Sequence, residues 1–215
     1  MVIGLDAVRL TERPLVVCDV DDVVLEFVTP FQAFLESRGH RLLPRSFRLH
    51  GNIVAQATDT ALPDREVSDL IEAFFDAQEA WQTPFPTTAA AIEAIARDAD
   101  IVFLTAMPPR FADRRRRLLD SIGLSQPLVA TQEPKGPVVE TLHGGRPLPV
   151  AFIDDMARNL ASVGTHVADC LLLHMIPVSE IHRHAPLAEP PVLRVADWPE
   201  ATHHIRRHCS AGRAS

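Results

Sequence analysis

The chain has 215 residues, 47% of them hydrophobic and 23% charged, a mix that suits a folded domain with a modest insertion and excludes a disordered chain. A net charge of −7 argues against a broad polyanion-binding face, so no nucleic acid polymer is expected as a partner. The longest apolar stretch near the C-terminus, residues 171–178, is interrupted by His174 and Pro177, so no membrane span is expected.

The first residues, MVIGLDAVRLTERP, lack the basic start and long apolar segment of a secretory signal, and a cytoplasmic protein is expected. Cys18, Cys170 and Cys209 are widely scattered and suggest neither a disulfide framework nor a paired-thiol metal site. Residues 15–20 (LVVCDV) form a nearly continuous apolar run, the pattern of a strand buried on both faces of a parallel sheet. Similar runs at 101–105 (IVFLT) and 150–155 (VAFIDD) also end in polar residues, and weaker ones lie at 128–130 and 171–173. Helices are expected between them at 87–97, 113–122 and 136–142, with Gly123 as a stop. This alternation predicts an α/β fold, a doubly wound parallel sheet whose ligands bind at the carboxyl ends of the strands.

Residues 29–86 break the rhythm with two amphipathic helices, at 30–38 and 64–81, around an irregular stretch at 49–60. The expectation is a small helical insertion over 29–86 in a core made of 1–28 and 87–215, re-entered after Pro84 and Pro86. The final residues, SAGRAS, read as frayed.

Three acids, Asp19, Asp21 and Asp22, follow the first strand directly. Crowded carboxylates repel one another and are tolerated when a cation bridges them or one is held protonated; Mg2+, a hard ion that takes oxygen ligands and often phosphate, fits that chemistry. A turn or helix cap accounts for one such acid but not for three. An EF-hand would need Gly and Glu where the chain has Val24 and Pro30. Thr105 ends the second run, Asp154 and Asp155 end the third, and Lys135 lies between them. Lys135 stands out because the chain has twenty arginines and one lysine, and a compact ammonium suits neutralising a phosphate beside a carboxylate.

With Asp19-Val20-Asp21-Asp22-Val23 after the first strand, the sequence resembles the phosphatase branch of the haloacid dehalogenase superfamily, whose first motif is Asp-x-Asp-x-(Thr/Val). The resemblance implies a Rossmann-like core with a type 1 helical cap inserted after the first strand. It casts Asp19 as the nucleophile that forms an aspartyl-phosphate, and Asp21 as the general acid/base. Thr105, with the backbone at Ala106, would hold the phosphoryl oxygens, and Lys135 would neutralise charge. Mg2+ would be held by the Asp19 carboxylate, the Asp21 carbonyl and one of the final pair, with Asp155 favoured and Asp154 orienting Lys135. The dehalogenases proper lack the second acid, so Asp21 favours phosphoryl substrates. The order of motifs separates the chain from response-regulator receivers, in which the lysine comes last. Asp22 is a departure, since many relatives have Gly there.

The implied function is Mg2+-dependent hydrolysis of a small phosphorylated metabolite, with nucleotide monophosphates as the leading guess and sugar phosphates next. Phosphotransfer to another acceptor and a catalytically silent phosphate-binding relative are the alternatives. The layout around VLEFVTPFQAFL and FPTT is partly similar to that of 5'-deoxyribonucleotidases. Seven aromatics fall in the insertion, and packing of a small lid accounts for most of them. Arg38, Arg41, Arg45, Arg48 and residues 114–117 are expected on solvated faces. His182, His184, His203, His204 and His208 read as surface-helix residues in preference to zinc ligands. The residues do not decide between a monomer and a homo-oligomer.

Overall fold

The computed structural model describes residues 2–211. Strand β1 is Val2–Ile3, β2 is Leu15–Cys18 and helix α1 is Val28–Glu36. A hairpin of β3 (His40–Leu42) and β4 (Ile53–Ala55) precedes α2 (Asp64–Asp76), α3 (Gln78–Trp81) and α4 (Thr88–Ala96). Then β5 (Asp100–Thr105), α5 (Ala112–Ser121), β6 (Leu128–Thr131), α6 (Lys135–His143), β7 (Val150–Asp154), α7 (Ala157–His166) and β8 (Leu171–Met175) alternate. Strand β9 (Leu193–Val195) and α8 (Trp198–Ala211) complete the described chain. Helix α8 takes in Ser210 and Ala211 of the segment read as frayed, and the rest of it lies outside the described residues.

The main sheet has the order β1-β6-β5-β2-β7-β8-β9, parallel throughout except for β1. Side chains alternate between faces along each strand, and because helices cover both faces, both sets must be apolar. Val16, Cys18, Ile101, Phe103 and Ile153 pack with Ile92, Leu119, Trp198 and Ile205 from α4, α5 and α8. Leu15, Val17, Val102, Leu104 and Phe152 face Val138, Val139, Leu160 and Val163 from α6 and α7. In the register, Leu15 lies opposite both Asp100 and Val150, so β2, β5 and β7 end side by side. That alignment brings Asp19, Thr105 and Asp154 to one edge.

A separate cluster of Val28, Phe31, Phe34, Leu42, Ile53, Val67 and Phe74 joins α1, the hairpin and α2, closed by Ile181 from the loop after β8. The inserted segment therefore contains a two-stranded sheet as well as helices. Its strands have three residues each, too short for an alternation to show. The single helix expected over 64–81 is two, parted at Ala77. No helix among the described residues is long and apolar enough to cross a membrane.

Candidate active site

The backbone N–H of Asp19 donates to Ile153 O at 2.9 Å, which continues the β2–β7 pairing one residue past the strand and fixes the side chain at the sheet edge. Lys135 opens α6, where the helix dipole disfavours a cation, so carboxylates must hold it. Its Nζ, 1% exposed as a residue, donates to Asp19 Oδ1 at 2.5 Å and to Asp154 Oδ2 at 2.6 Å. The ammonium lies 5.7 Å from the Phe152 ring centroid.

Asp154 has both oxygens engaged: Oδ1 accepts from Met156 N at 2.8 Å and Asn159 Nδ2 at 3.0 Å, and Oδ2 from Lys135. Asp155 is buried too; its backbone carbonyl accepts from His174 Nε2 at 2.8 Å, and an oxygen of its carboxylate lies within 4.8 Å of oxygens of Asp19 and Asp154.

Burial is the main reason the Asp19 carboxyl is pushed up to about 7; Lys135 pulls it down, and Asp154 and Asp21 push it up. Asp155 is raised well above the ordinary value by burial, then by repulsion from Asp154, Asp19 and Asp22. For Lys135, burial works toward the neutral amine, but Asp154 and Asp19 outweigh it and the pKa rises. The cluster is thus short of positive charge, and its oxygen donors fit a hard divalent ion, with Asp19 and Asp155 the carboxylates placed to hold it.

Asp21 stands opposite, held from two sides. Its Oδ1 accepts from Gln82 Nε2 and Arg115 Nη2, both at 2.9 Å, and Oδ2 from Thr105 Oγ1 at 3.4 Å. Thr105 is fully buried, and its hydroxyl also accepts from Met107 N at 3.1 Å, while Ala106 lines the cleft. Arg115 corrects the expectation of a solvated arginine run: it is 0% exposed, bonded to Asp21, Gln82 and Gln78. Four consecutive arginines hide which one turns inward; Leu118 and Leu119, three and four residues on and buried, were the signal. Gln78 and Gln82, missed in the sequence, have i, i+4 spacing on and after α3 and bring the inserted segment to Asp21.

Asp22 adopts φ 60°, the left-handed region that favours glycine and tolerates Asp better than most residues. Its carboxylate accepts from Phe27 N at 2.9 Å and Val28 N at 3.3 Å, satisfying donors at the start of α1. His182 and His184 are also corrections, since both lie in a short 3-10 turn and not on a surface helix, with His182 buried.

Asp19, Asp21, Asp22 and Asp155 line the floor of a cleft of about 450 Å³ with walls that include Phe27, Phe47, Ile71, Phe75 and Met107 and with exposed Arg48 and Arg158 among its lining. Comparison with solved structures identifies the fold. A haloacid dehalogenase family hydrolase from Deinococcus radiodurans R1, solved with bound phosphate and sodium, has 16% identity and a TM-score of 0.58, covering 93% of this chain and 96% of that one. A β-phosphoglucomutase structure from Thermotoga maritima has 13% identity and a TM-score of 0.59, covering 90% and 99%. The fold is that of the haloacid dehalogenase-like hydrolases. The L-2-haloacid dehalogenase from Xanthobacter autotrophicus is also similar, at 13% identity and a TM-score of 0.59, covering 90% of this chain and 98% of that one. No family model matches the chain, and the search of curated proteins found no match. Hydrolases, phosphate-handling and dehalogenating alike, share this haloacid dehalogenase-like core, so chemistry has to be argued from the site.

Proposed function

We propose that the protein is a magnesium-dependent phosphatase that hydrolyses a small phosphate monoester through an aspartyl-phosphate on Asp19. The observation that carries this reading is the Lys135 ammonium bonded to both Asp19 and Asp154 at adjacent strand ends, with Asp21 held across the cleft. The Asp19 carboxylate attacks phosphorus as the ester oxygen departs, and Asp21 supplies the proton that this oxygen needs. Water then attacks the acyl phosphate and gives its proton to Asp21, which releases inorganic phosphate and restores Asp19. Mg2+ held by Asp19 and Asp155 would supply charge neutralisation for the phosphoryl oxygens. Lys135 keeps Asp19 oriented and offsets charge on the same side. Asp21 also separates the two chemistries of the fold, since a haloalkyl group leaves as halide and needs no proton donor.

The cleft supports an organic group with an apolar or planar face, because Phe27, Phe47 and Phe75 line it, and Arg48 and Arg158 offer positive charge. Nucleoside monophosphates combine these features and are the first class to assay.

The test is release of phosphate from an aryl phosphate by chelator-stripped protein, with and without Mg2+, followed by a panel of phosphate monoesters. Turnover that needs the metal and vanishes in Asp19→Asn, with the fold retained, is the expected result. Absence of turnover by the wild type with every divalent ion tried would overturn the reading.

A further inference from the structure

Next to the proposed magnesium site, the side chains of Asp22, Asp155 and His182 converge. One carboxylate oxygen from each acid and a ring nitrogen of the histidine all lie within 4.8 Å of one another, and the three residues are 6%, 6% and 5% exposed. His182 supplies an independent observation. Its Nε2 is buried and makes no hydrogen bond, although Asp22 Oδ2 is 3.3 Å away. Its Nδ1 is 2.7 Å from Ser179 Oγ, and its ring packs 5.5 Å from that of Phe47, so Nε2 is held facing Asp22. A buried ring nitrogen beside two carboxylates without a well-formed hydrogen bond is a donor that a bridging cation would satisfy.

We infer that Asp22, Asp155 and His182 form a second divalent-cation site, selective for a first-row transition ion such as Mn2+, Co2+ or Zn2+. The donor set decides the class: two oxygens favour many ions, but an imidazole nitrogen suits transition ions and offers little to Mg2+. Bonds of about 2.1 Å place the ligand atoms of a tetrahedral ion about 3.4 Å apart, so the trio has to close by up to about 1.4 Å, a movement within reach of side-chain rotation. The supporting contacts are those of a metal site. Ser179 fixes the imidazole, and the N–H groups of Phe27 and Val28 fix the Asp22 carboxylate. Asp155 belongs to both acidic groups, so its carboxylate bridges the two ions. The second ion ties together the turn after β2, the end of β7 and the loop after β8, whose Ile181 closes the inserted segment's apolar cluster.

The inference does not depend on phosphatase activity, because its readout is metal content. Full-length protein, stripped with chelator and dialysed against Mn2+, should hold two ions per chain by elemental analysis, and His182→Ala should hold one. With Mg2+ the two proteins should behave alike. Pulsed EPR of the Mn2+-loaded wild type should show coupling to an imidazole 14N nucleus, a measurement that needs no variant and stands even if His182→Ala folds poorly. Equal Mn2+ content in wild type and a folded His182→Ala, or the absence of 14N coupling in wild type, would overturn the site and leave a proton as the bridge. Metal-dependent turnover with one ion bound would keep the phosphatase reading while removing this one. Two ions without turnover would do the reverse.

Discussion

Replacing Lys135 with Met tests whether the site is held together by charge. The substitution keeps most of the apolar stem beside Phe152 and removes only the ammonium, which leaves the buried carboxylates of Asp19 and Asp154 without their shared partner. Removing one member of a buried ion pair costs about 3–5 kcal/mol, because the abandoned charge stays desolvated. Here two carboxylates lose the same cation, which places the loss toward the upper end. For a chain of this size, that corresponds to a fall in Tm of roughly 6–20 °C, at about 2–4 °C per kcal/mol. Urea unfolding at pH 7.5 in chelator measures it. Combining Lys135→Met with Asp154→Asn should recover half or more of the loss, since the second change removes one stranded charge. Saturating Mg2+ should recover part of it as well. A loss under about 1 kcal/mol, or strict additivity in the double variant, would show that Lys135 is a passive buried amine and refute the electrostatic account.

The raised Asp19 pKa gives a pH test with a definite sign. Its folded value, about 7, exceeds the ordinary 3.8, so the folded state binds the proton more tightly. Its stabilising effect is therefore full below about pH 4 and is lost as pH rises toward 7, and Asp155 acts in the same direction. Chelator-stripped protein should accordingly have a lower urea midpoint at pH 8 than at pH 5.5, the gap shrinking in Asp19→Asn and on adding Mg2+; a midpoint that rises over this interval would contradict the shift. Arg115→Met should lower kcat at least tenfold with KM within threefold, and should hurt alkyl phosphates more than nitrophenyl phosphate, because only the former depend on a well-placed Asp21 proton. Equal losses across leaving groups would reduce Arg115 to a structural residue. Gly136→Ala should disturb the site indirectly: a Cβ there would lie 2.4 Å from Ser162 O, so α6 must shift off α7 and carry Lys135 with it. A cost of about 1–3 kcal/mol and reduced turnover are expected, and unchanged unfolding and kinetics would show that α6 moves without consequence.

The core sheet was readable because β2, β5 and β7 are buried on both faces and write themselves as unbroken apolar runs. The acids at their ends stood out because each follows such a run, and Lys135 because the chain has no other lysine. The structure places these residues together, whereas the contacts that orient them were hidden. Arg115 is masked by identical neighbours, and Gln82 follows a four-residue helix that the sequence runs together with α2. His182 sits in a three-residue 3-10 turn after Pro177, where no periodicity tells an inward side chain from an outward one. The hairpin β3–β4 was missed for a similar reason, since pairing across a ten-residue gap gives three-residue strands no local signature.

Charge also sets an order of events. Five carboxylates, those of Asp19, Asp21, Asp22, Asp154 and Asp155, face two buried cations, Lys135 and Arg115, and of the five Arg115 bonds only Asp21. Carboxylates crowded into a water-poor site need further positive charge, and the raised pKa values of Asp19 and Asp155 express that shortage. A protonated Asp19 is a poor nucleophile, and a phosphate dianion entering beside ionised acids would be repelled. A divalent ion held by Asp19 and Asp155 would relieve both problems, by competing with the proton on Asp19 and making the local field attractive. Arg48 and Arg158 can draw an anion toward the cleft against the chain's net charge of −7, but they do not neutralise its floor. If the protein is the proposed metal-dependent phosphatase, metal binding precedes or accompanies the phosphate ester, and inorganic phosphate should bind measurably tighter to metal-loaded protein than to stripped protein.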